Sequence, residues 1–315
     1  MKTNPAEWVL TNIPVLSGKV MIVTGANSGL GFATAAALAS RGAHVIMACR
    51  SMEKGAQAAE TIRRAQPEAQ IEALPLDLAN LASIRAFAGS VTHAQIDALI
   101  NNGGVNHLPY SKTVDGFETQ IGTNFLGHFA LTGLLMDKIL AAPQGRVVSV
   151  SSALHKDARL DVRNLNSEQG YKPAQGYANS KLALLLFAYE LQRRFERAQA
   201  AAISLACHPG YAITNMQEAL KQQSLVYRIA LPVLEKLIFQ EAAMGALPAV
   251  YAAASPQAQG GYYMVPDGAG ERTGYPRKGQ SSAASHDTAL ALELWTAAEQ
   301  LTGIAYPALG APVSA

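Results

Sequence analysis

Cysteine is nearly absent from this chain: Cys49 and Cys207 are the only two among 315 residues. Two thiols in separate hydrophobic runs make no disulfide framework, and they read as two buried thiols kept reduced. Charge is scarce as well. Asp, Glu, Lys and Arg supply 15% of the residues, with a formal net charge of +2, where an ordinary soluble domain carries roughly 25%. That balance gives no electrostatic reason to expect nucleic acid or an anionic membrane surface as a partner. Unbroken apolar runs are missing too. The opening MKTNPAEWVL has no continuous apolar stretch of signal-peptide type. The most apolar region, 224–254, is interrupted by Arg228, Glu235, Lys236, Glu241 and two prolines, which excludes a membrane span there. The seven histidines form no H-E-x-x-H and no Cys/His ligand spacing, so no metal is expected. The expectation is a reduced, cytoplasmic, soluble protein.

What the chain does have is apolar mass, 49% of its residues, and a regular alternation of short β-rich runs with helical patterns. Strands are expected at 19–25, 43–50, 70–77, 96–102, 145–152, 201–210 and 260–265, with helices between them and a long helix over 115–140. Alternation of this kind builds a mostly parallel sheet covered on both faces. The fold class is therefore α/β: one doubly wound, Rossmann-type domain over 1–315, with a seven-stranded sheet. The stretches 153–175 and 211–250 stand out as an insertion and a lid within that domain.

TGANSGLG (24–31) lies between the first strand and its helix, which is the context a dinucleotide-binding loop requires. Gly25 suits a tight turn, Gly29 a close backbone approach to a pyrophosphate, and Gly31 the packing of helix on strand, with Asn27, Ser28 and Leu30 filling the loop. The helix N-terminus would meet the phosphates. At the end of the second strand, where an acid would hold a ribose 2′-hydroxyl, the chain reads MACRS. Arg50 instead matches a 2′-phosphate in charge and fork geometry, so NADP(H) is expected over NAD(H). YANSK (177–181) puts a phenol and an ammonium one helical turn apart. A free tyrosine titrates near pKa ~10, and a nearby cation favours its phenolate. Tyr177 and Lys181 thus form a candidate acid–base pair.

With these motifs in hand, the sequence resembles the short-chain dehydrogenase/reductase family over nearly its whole length, in its retinol-dehydrogenase-like and protochlorophyllide-reductase-like branch. TGANSGLG matches the cofactor loop, and LDL (76–78) the adenine-contacting strand end, with Asp77 and Leu78. NNGG (101–104) matches N-N-A-G, with Asn101 and with Gly103 in place of alanine. TNFLGHFALT (123–132) contains the helix asparagine, Asn124, and VVSVSS (147–152) the serine. HPGYAIT (208–214) supplies the turn Pro209–Gly210 and the threonine, Thr214. The resemblance implies that Tyr177 transfers the proton, Ser152 (Ser151 being the alternative) polarises the substrate oxygen, and Lys181 lowers the tyrosine pKa and holds the nicotinamide ribose. It further implies that Asn124 binds a water leading to Lys181. The residues between Ser152 and Tyr177 resemble the insertion of retinol-dehydrogenase-like members.

The activity so implied is NADP(H)-dependent interconversion of a carbonyl and its alcohol. Two other readings stand beside it. HVIMACR and TNFLGHF also resemble the light-dependent protochlorophyllide reductases, which would imply a carbon–carbon double-bond reductase, and a cofactor-binding regulatory protein without turnover is a third reading. The serine pair at 151–152 and the intact Asn124, Ser152, Tyr177 and Lys181 favour carbonyl chemistry. The lid sequence is rich in apolar residues and poor in cations, which points to a lipophilic aldehyde or ketone. His155 and His208 fall near the expected pocket mouth. Family members pair the helices carrying Asn124 and Tyr177 between subunits, so a homodimer or homotetramer is expected. The apolar LALLLFAYEL fits such an interface, and equally burial within the chain.

Overall fold

The structure is a computed structural model that describes residues 4–211 and 240–310. Within them the chain winds an eight-stranded sheet in the order β3-β2-β1-β4-β5-β6-β7-β8. The strands are β1 (Val20–Thr24), β2 (His44–Cys49), β3 (Ile71–Pro75), β4 (Ala98–Asn101), β5 (Arg146–Val150), β6 (Ile203–Cys207), β7 (Tyr263–Pro266) and β8 (Pro276–Lys278). All pairings are parallel except β7–β8. Central strands are buried along their whole length, as in β1 and β5, because helices cover both faces. The eighth strand was not expected from the sequence. It is three residues long, begins with proline and carries two exposed cations, so it shows no alternating apolar pattern.

One face of the sheet packs under α1 (Pro5–Asn12), α2 (Gly29–Ala39), α3 (Met52–Ala65) and α9 (Ala242–Ala254). The other packs under α4 (Leu81–Ser90), α6 (Gly127–Leu134), α8 (Pro173–Arg197) and α10 (Thr288–Thr302). Helix α1 is a further unexpected element. Its first turn is capped by Asn4, whose Oδ1 accepts from Glu7 N at 2.8 Å, and Pro5 presets the entry. Trp8 then packs against Tyr251 of α9 and Tyr275. No described helix is long and apolar enough to cross a membrane. The single helix expected over 115–140 is instead a broken series. It runs through α5 (Thr119–Ile121), a π-helical turn (Gly122–Leu126), α6 and α7 (Met136–Ala141). Of the lid over 211–250, only Tyr211 and residues 240–250 fall within the described residues.

Every residue of α8 from Ser180 to Leu191 is buried, and so is α6 from Gly127 to Thr132. The sheet covers one side of these helices, and α10 covers the other. Trp295 of α10 stacks on Phe187 of α8, with ring centroids 5.7 Å apart, and meets Phe129 of α6 edge-on at 5.1 Å. The Arg194 guanidinium lies 3.9 Å from the Trp295 ring, and Tyr306 donates from its hydroxyl to Phe129 O at 2.6 Å. LALLLFAYEL is thus buried within one chain. The pairing of these helices with a second subunit, expected from the resemblance, meets a face already covered. Trp295→Ala should cost about 3–5 kcal/mol of stability, the usual penalty for emptying a large aromatic site. Denaturant unfolding followed by circular dichroism measures this, and a loss below ~1 kcal/mol would show that α10 is not firmly seated.

Candidate active site

The sheet reverses its winding at β1, between β2 and β4, and the strand ends at such a point form a crevice for ligands. Thr24 closes β1 there. Gly25 follows in the left-handed region with φ +65°, and a Cβ on it would lie 2.8 Å from Gly103 Cα. A Cβ on Gly31 would lie 2.3 Å from Gly25 O and 2.6 Å from Asn102 Nδ2. Only glycine lets these backbones approach so closely. Helix α2 then starts at Gly29 with no side-chain cap from Ser28 and no acid in its first turn. Its positive end is therefore open to an anion, which fits a dinucleotide pyrophosphate. Asn27, Ser28 and Leu30 line this loop, each half-buried. The neighbouring Cys49 stands where the acid of other nucleotide sites would be. It takes backbone hydrogen bonds from Ala26 and Asn27, while burial pushes its thiol up to about 11. Arg50 is exposed just beyond it.

On the other side of the crevice, Asp77 is half-buried, its Oδ1 accepting from Ala79 N, and Leu78 is buried. The side chain of Leu78 comes within 2.9 Å of where a Gly103 Cβ would stand. Asn101 departs from the expectation that it lines the cofactor site. It is fully buried, and its amide donates to Thr132 Oγ1 of α6 at 3.1 Å. Its side chain joins sheet to helix and does not face the crevice. Its neighbour Asn102, not singled out in the sequence, faces the loop: Nδ2 donates to Thr24 O at 2.8 Å.

Asn124 sits in the π-helical turn, where Gly127 N reaches back to Gly122 O. Such turns place a side chain that a regular helix would rotate elsewhere. Its Oδ1 accepts from Val105 N at 2.8 Å, and its Nδ2 donates to Val105 O and Ser180 Oγ at 2.9 Å each. His128, one turn later, is fully buried, and burial holds its imidazole down at about 3, hence neutral. Nδ1 lies 2.8 Å from Asn124 O, a pure acceptor, so Nδ1 carries the proton. Nε2 is then the acceptor for the Thr24 hydroxyl at 2.9 Å. Thr24 Oγ1 in turn accepts from Asn102 N and Gly103 N. One neutral histidine thereby links the glycine loop to Asn124.

Tyr177 and Lys181 lie in the second and third turns of α8. The Lys181 Nζ is 5.6 Å from the Tyr177 ring centroid and donates to Val150 O at 2.9 Å. The Tyr177 hydroxyl has the Ser152 side chain as hydrogen-bond partner. Ser151 is turned inward, donating to Lys181 O at 2.8 Å, and is buried. Ser152 thus faces the phenol, and Ser151 anchors the lysine backbone. The expected lowering of the tyrosine pKa is not met. Burial pushes Tyr177 up to about 12, against the opposing pull of the Ser152 hydrogen bond. Burial likewise brings Lys181 down to about 8. Desolvation is the largest cause of both shifts, because each group's charged form has lost water. His107, exposed, places its ring centroid 5.7 Å from that of Tyr177. It too escaped the sequence reading.

Pro209 and Gly210 form a turn at the end of β6. Pro209 O accepts from Gln240 Nε2 at 2.7 Å, and Gly210 N donates to His208 Nδ1 at 3.0 Å. Thr214 lies outside the described residues. Neither His155 nor His208 is free to meet a substrate, since both are buried. His155 donates from Nδ1 to Ser152 O at 2.7 Å and accepts at Nε2 from Ser282 N at 3.0 Å, so it fixes the backbone of Ser152. His208 puts Nε2 3.5 Å from Glu271 Oε2. Burial takes it down to about 4 in spite of that carboxylate.

A glycine loop on an uncapped helix end, set beside Ser152 and the buried Tyr177 and Lys181, defines a dinucleotide-dependent oxidoreductase site. Residues 19–225 match the family description short chain dehydrogenase. Retinol dehydrogenase 14 of Mus musculus is 38% identical over 302 residues, covering 92% of this chain and 87% of the relative. Among solved structures, an uncharacterised protein from Mycobacterium paratuberculosis is 40% identical with a TM-score of 0.79, covering 95% of this chain and 99% of that one. A structure assigned as an NAD(P)-dependent gluconate 5-dehydrogenase from Beutenbergia cavernae, with NADP bound, is 26% identical with a TM-score of 0.60, covering 76% and 90%. The chain belongs to the short-chain dehydrogenase family, and it is an oxidoreductase acting on CH–OH groups.

The buried histidines carry a consequence for stability. His128 and His208 titrate at about 3 and 4 in the folded chain, against 6.5 ordinarily. The unfolded chain therefore binds more protons below pH 6.5, and their neutral forms stabilise the fold only above it. Thermal midpoints should fall steadily as pH drops from about 6.5 towards 4, and His128→Asn should flatten part of that slope. A midpoint independent of pH across this range would show that neither imidazole is held neutral.

Proposed function

We propose that this enzyme interconverts a lipophilic aldehyde or ketone and its alcohol with NADP(H), using Tyr177 as the proton-transferring group. The observation that carries the reading is the Tyr177 hydroxyl paired with Ser152 above the buried Lys181, at the strand ends next to the glycine loop. Gly25, Gly29 and Gly31, with the α2 N-terminus, would hold the pyrophosphate, and Arg50 the 2′-phosphate. Bound there, the nicotinamide supplies or accepts the hydride. The Ser152 hydroxyl donates to the carbonyl oxygen and holds it beside the phenol. Tyr177 gives that oxygen its proton as the carbon is reduced, and takes it back in the reverse direction. The phenolate so formed is a buried anion, and the Lys181 ammonium is the cation in place to compensate it. Asn124, locked onto Val105 and Ser180, keeps α8 in register with the loop beyond β4.

The retinol dehydrogenases among the relatives support an apolar alcohol or aldehyde as substrate, as does the apolar sequence of 212–239. A reduced, cytoplasmic setting remains our reading, supported by two buried thiols that form no disulfide. For assembly, the covered α6–α8 face argues against pairing through these helices, and the homodimer or homotetramer we infer would use another face.

NADPH oxidation with a series of n-alkanals tests the chemistry. Catalytic efficiency should climb with chain length, since each buried methylene contributes about 0.8 kcal/mol. Tyr177→Phe should keep NADPH affinity and lose roughly 10²–10⁴-fold in turnover. Near-normal turnover in that variant, or a flat series beside rapid reduction of a short keto acid, would overturn the reading. On the cofactor, NADPH should bind at least about tenfold more tightly than NADH, or ~1.4 kcal/mol. Arg50→Ala should remove most of that margin and leave NADH binding little changed. Equal affinities in the unmodified enzyme would remove Arg50 from the site.

A further inference from the structure

At the opposite, N-terminal ends of the strands, far along the sheet from the glycine loop, three side chains from three separate elements converge. Among the described residues, His44, Glu72 and His93 are the one group of His, Cys, Asp or Glu side chains whose donor atoms, one from each, all lie within 4.8 Å of one another. His44 opens β2. Glu72 pairs in register with Ile46, two residues beyond His44, so the pleat puts both side chains on the same face. His93 arrives from the connection between α4 and β4. Its backbone oxygen accepts from Lys138 Nζ at 2.8 Å, which ties this connection to α7.

The donor geometry is already partly assembled. His44 Nε2 is 3.1 Å from Glu72 Oε1, close to the about 3.3 Å that separates two ligands of a tetrahedral ion with bonds of ~2.0–2.1 Å. The His44 and His93 rings meet edge to face with centroids 4.7 Å apart. His93 Nδ1 is buried with no hydrogen-bond partner, a state that costs free energy unless water or an ion completes it. The three groups are half-buried, which leaves their side chains room to rotate and draw the widest pair together. The nearby cations are already engaged: Lys19 pairs with Asp97 at 2.9 Å, and Lys138 with the His93 carbonyl.

We propose that His44, Glu72 and His93 form a binding site for a divalent transition-metal ion, Zn²⁺ first, remote from the catalytic centre. Two imidazoles and one carboxylate suit Zn²⁺ and its neighbours, and do not suit Mg²⁺ or Ca²⁺, which want oxygen ligands throughout. The ion would cross-link the edge strand β3, the start of β2 and the exit of α4. It would stabilise that corner and leave the redox site untouched. Sequence spacing hides the site, because its ligands are 28 and 21 positions apart along the chain (72 minus 44; 93 minus 72).

Calorimetric titration of the tag-free, chelator-treated full chain with Zn²⁺ tests this. One ion should bind per chain with a Kd of about 10 µM or tighter, and thermal midpoint should rise with Zn²⁺. His93→Ala and Glu72→Gln should each weaken binding at least tenfold, with NADPH affinity unchanged in both. Either variant suffices if the other fails to fold. No binding up to about 1 mM Zn²⁺ would overturn the proposal, leaving the His44–Glu72 contact as a plain hydrogen bond. Binding of unchanged affinity in the folded variants would overturn it equally, by placing the ion elsewhere.

Discussion

The Thr24 hydroxyl is where the architecture of this site is tied together. It lies in a fully buried position at the end of β1, where an unpaired polar atom would cost about 1–3 kcal/mol. Two backbone N–H groups beyond β4 point at it, and it donates onward to a histidine that can accept only because burial keeps it neutral. That histidine spends its one proton on the carbonyl of Asn124. Pairing requirements therefore run without a break from the glycine loop, through the N-N-G-G turn, to the π-helical turn. The Thr24 hydroxyl also lies 3.3 Å from Ile100 O, a second acceptor on β4.

The same scarcity of water sets the acid–base pair. Proximity of a cation to a phenol suggests a depressed tyrosine pKa, but proximity is one term and burial is another. Here Tyr177 rises to about 12 while Lys181 falls to about 8. Each group has lost water, and the ammonium makes its hydrogen bond to Val150 O rather than to the phenol. The pair is thus charged asymmetrically: the tyrosine holds its proton, and the lysine, at about 8, is still mostly cationic at neutral pH. That is the state a proton donor needs for reduction. The oxidative direction asks for the opposite charge on the phenol and gains from higher pH.

Much of this was legible in the sequence, for a physical reason. Strand and loop motifs are local: Gly25 and Gly31 announce close backbone approach, and the four-residue step from Tyr177 to Lys181 is one helical turn. What stayed hidden depends on contacts between distant segments. Asn101 looks like its neighbour Asn102 on paper, yet one is buried against Thr132 and the other faces the loop. His128 reads as a packed residue until Thr24 is seen beside it. The break in the helix at Gly122–Leu126 leaves no proline as a warning. Strand β8 is too short and too polar, and helix α1 too short, to register as elements, and both take their stability from what they pack against.

Helix α8 shows how the remote part of the chain bears on the chemistry. A helix apolar on all sides needs partners on all sides. The sheet serves one flank of LALLLFAYEL, and the other must be closed by a second subunit or by the chain itself. Here Trp295 and its neighbours on α10 close it. Tyr177 and Lys181 sit in the first turns of the same helix, on the same rigid rod, with Ser151 holding Lys181 O from β5. Their distance from Ser152 is therefore fixed by how α8 is seated, and α8 is seated between the sheet and α10. Catalytic geometry at one end of the helix and the C-terminal cover along its length are one mechanical problem, solved within a single chain.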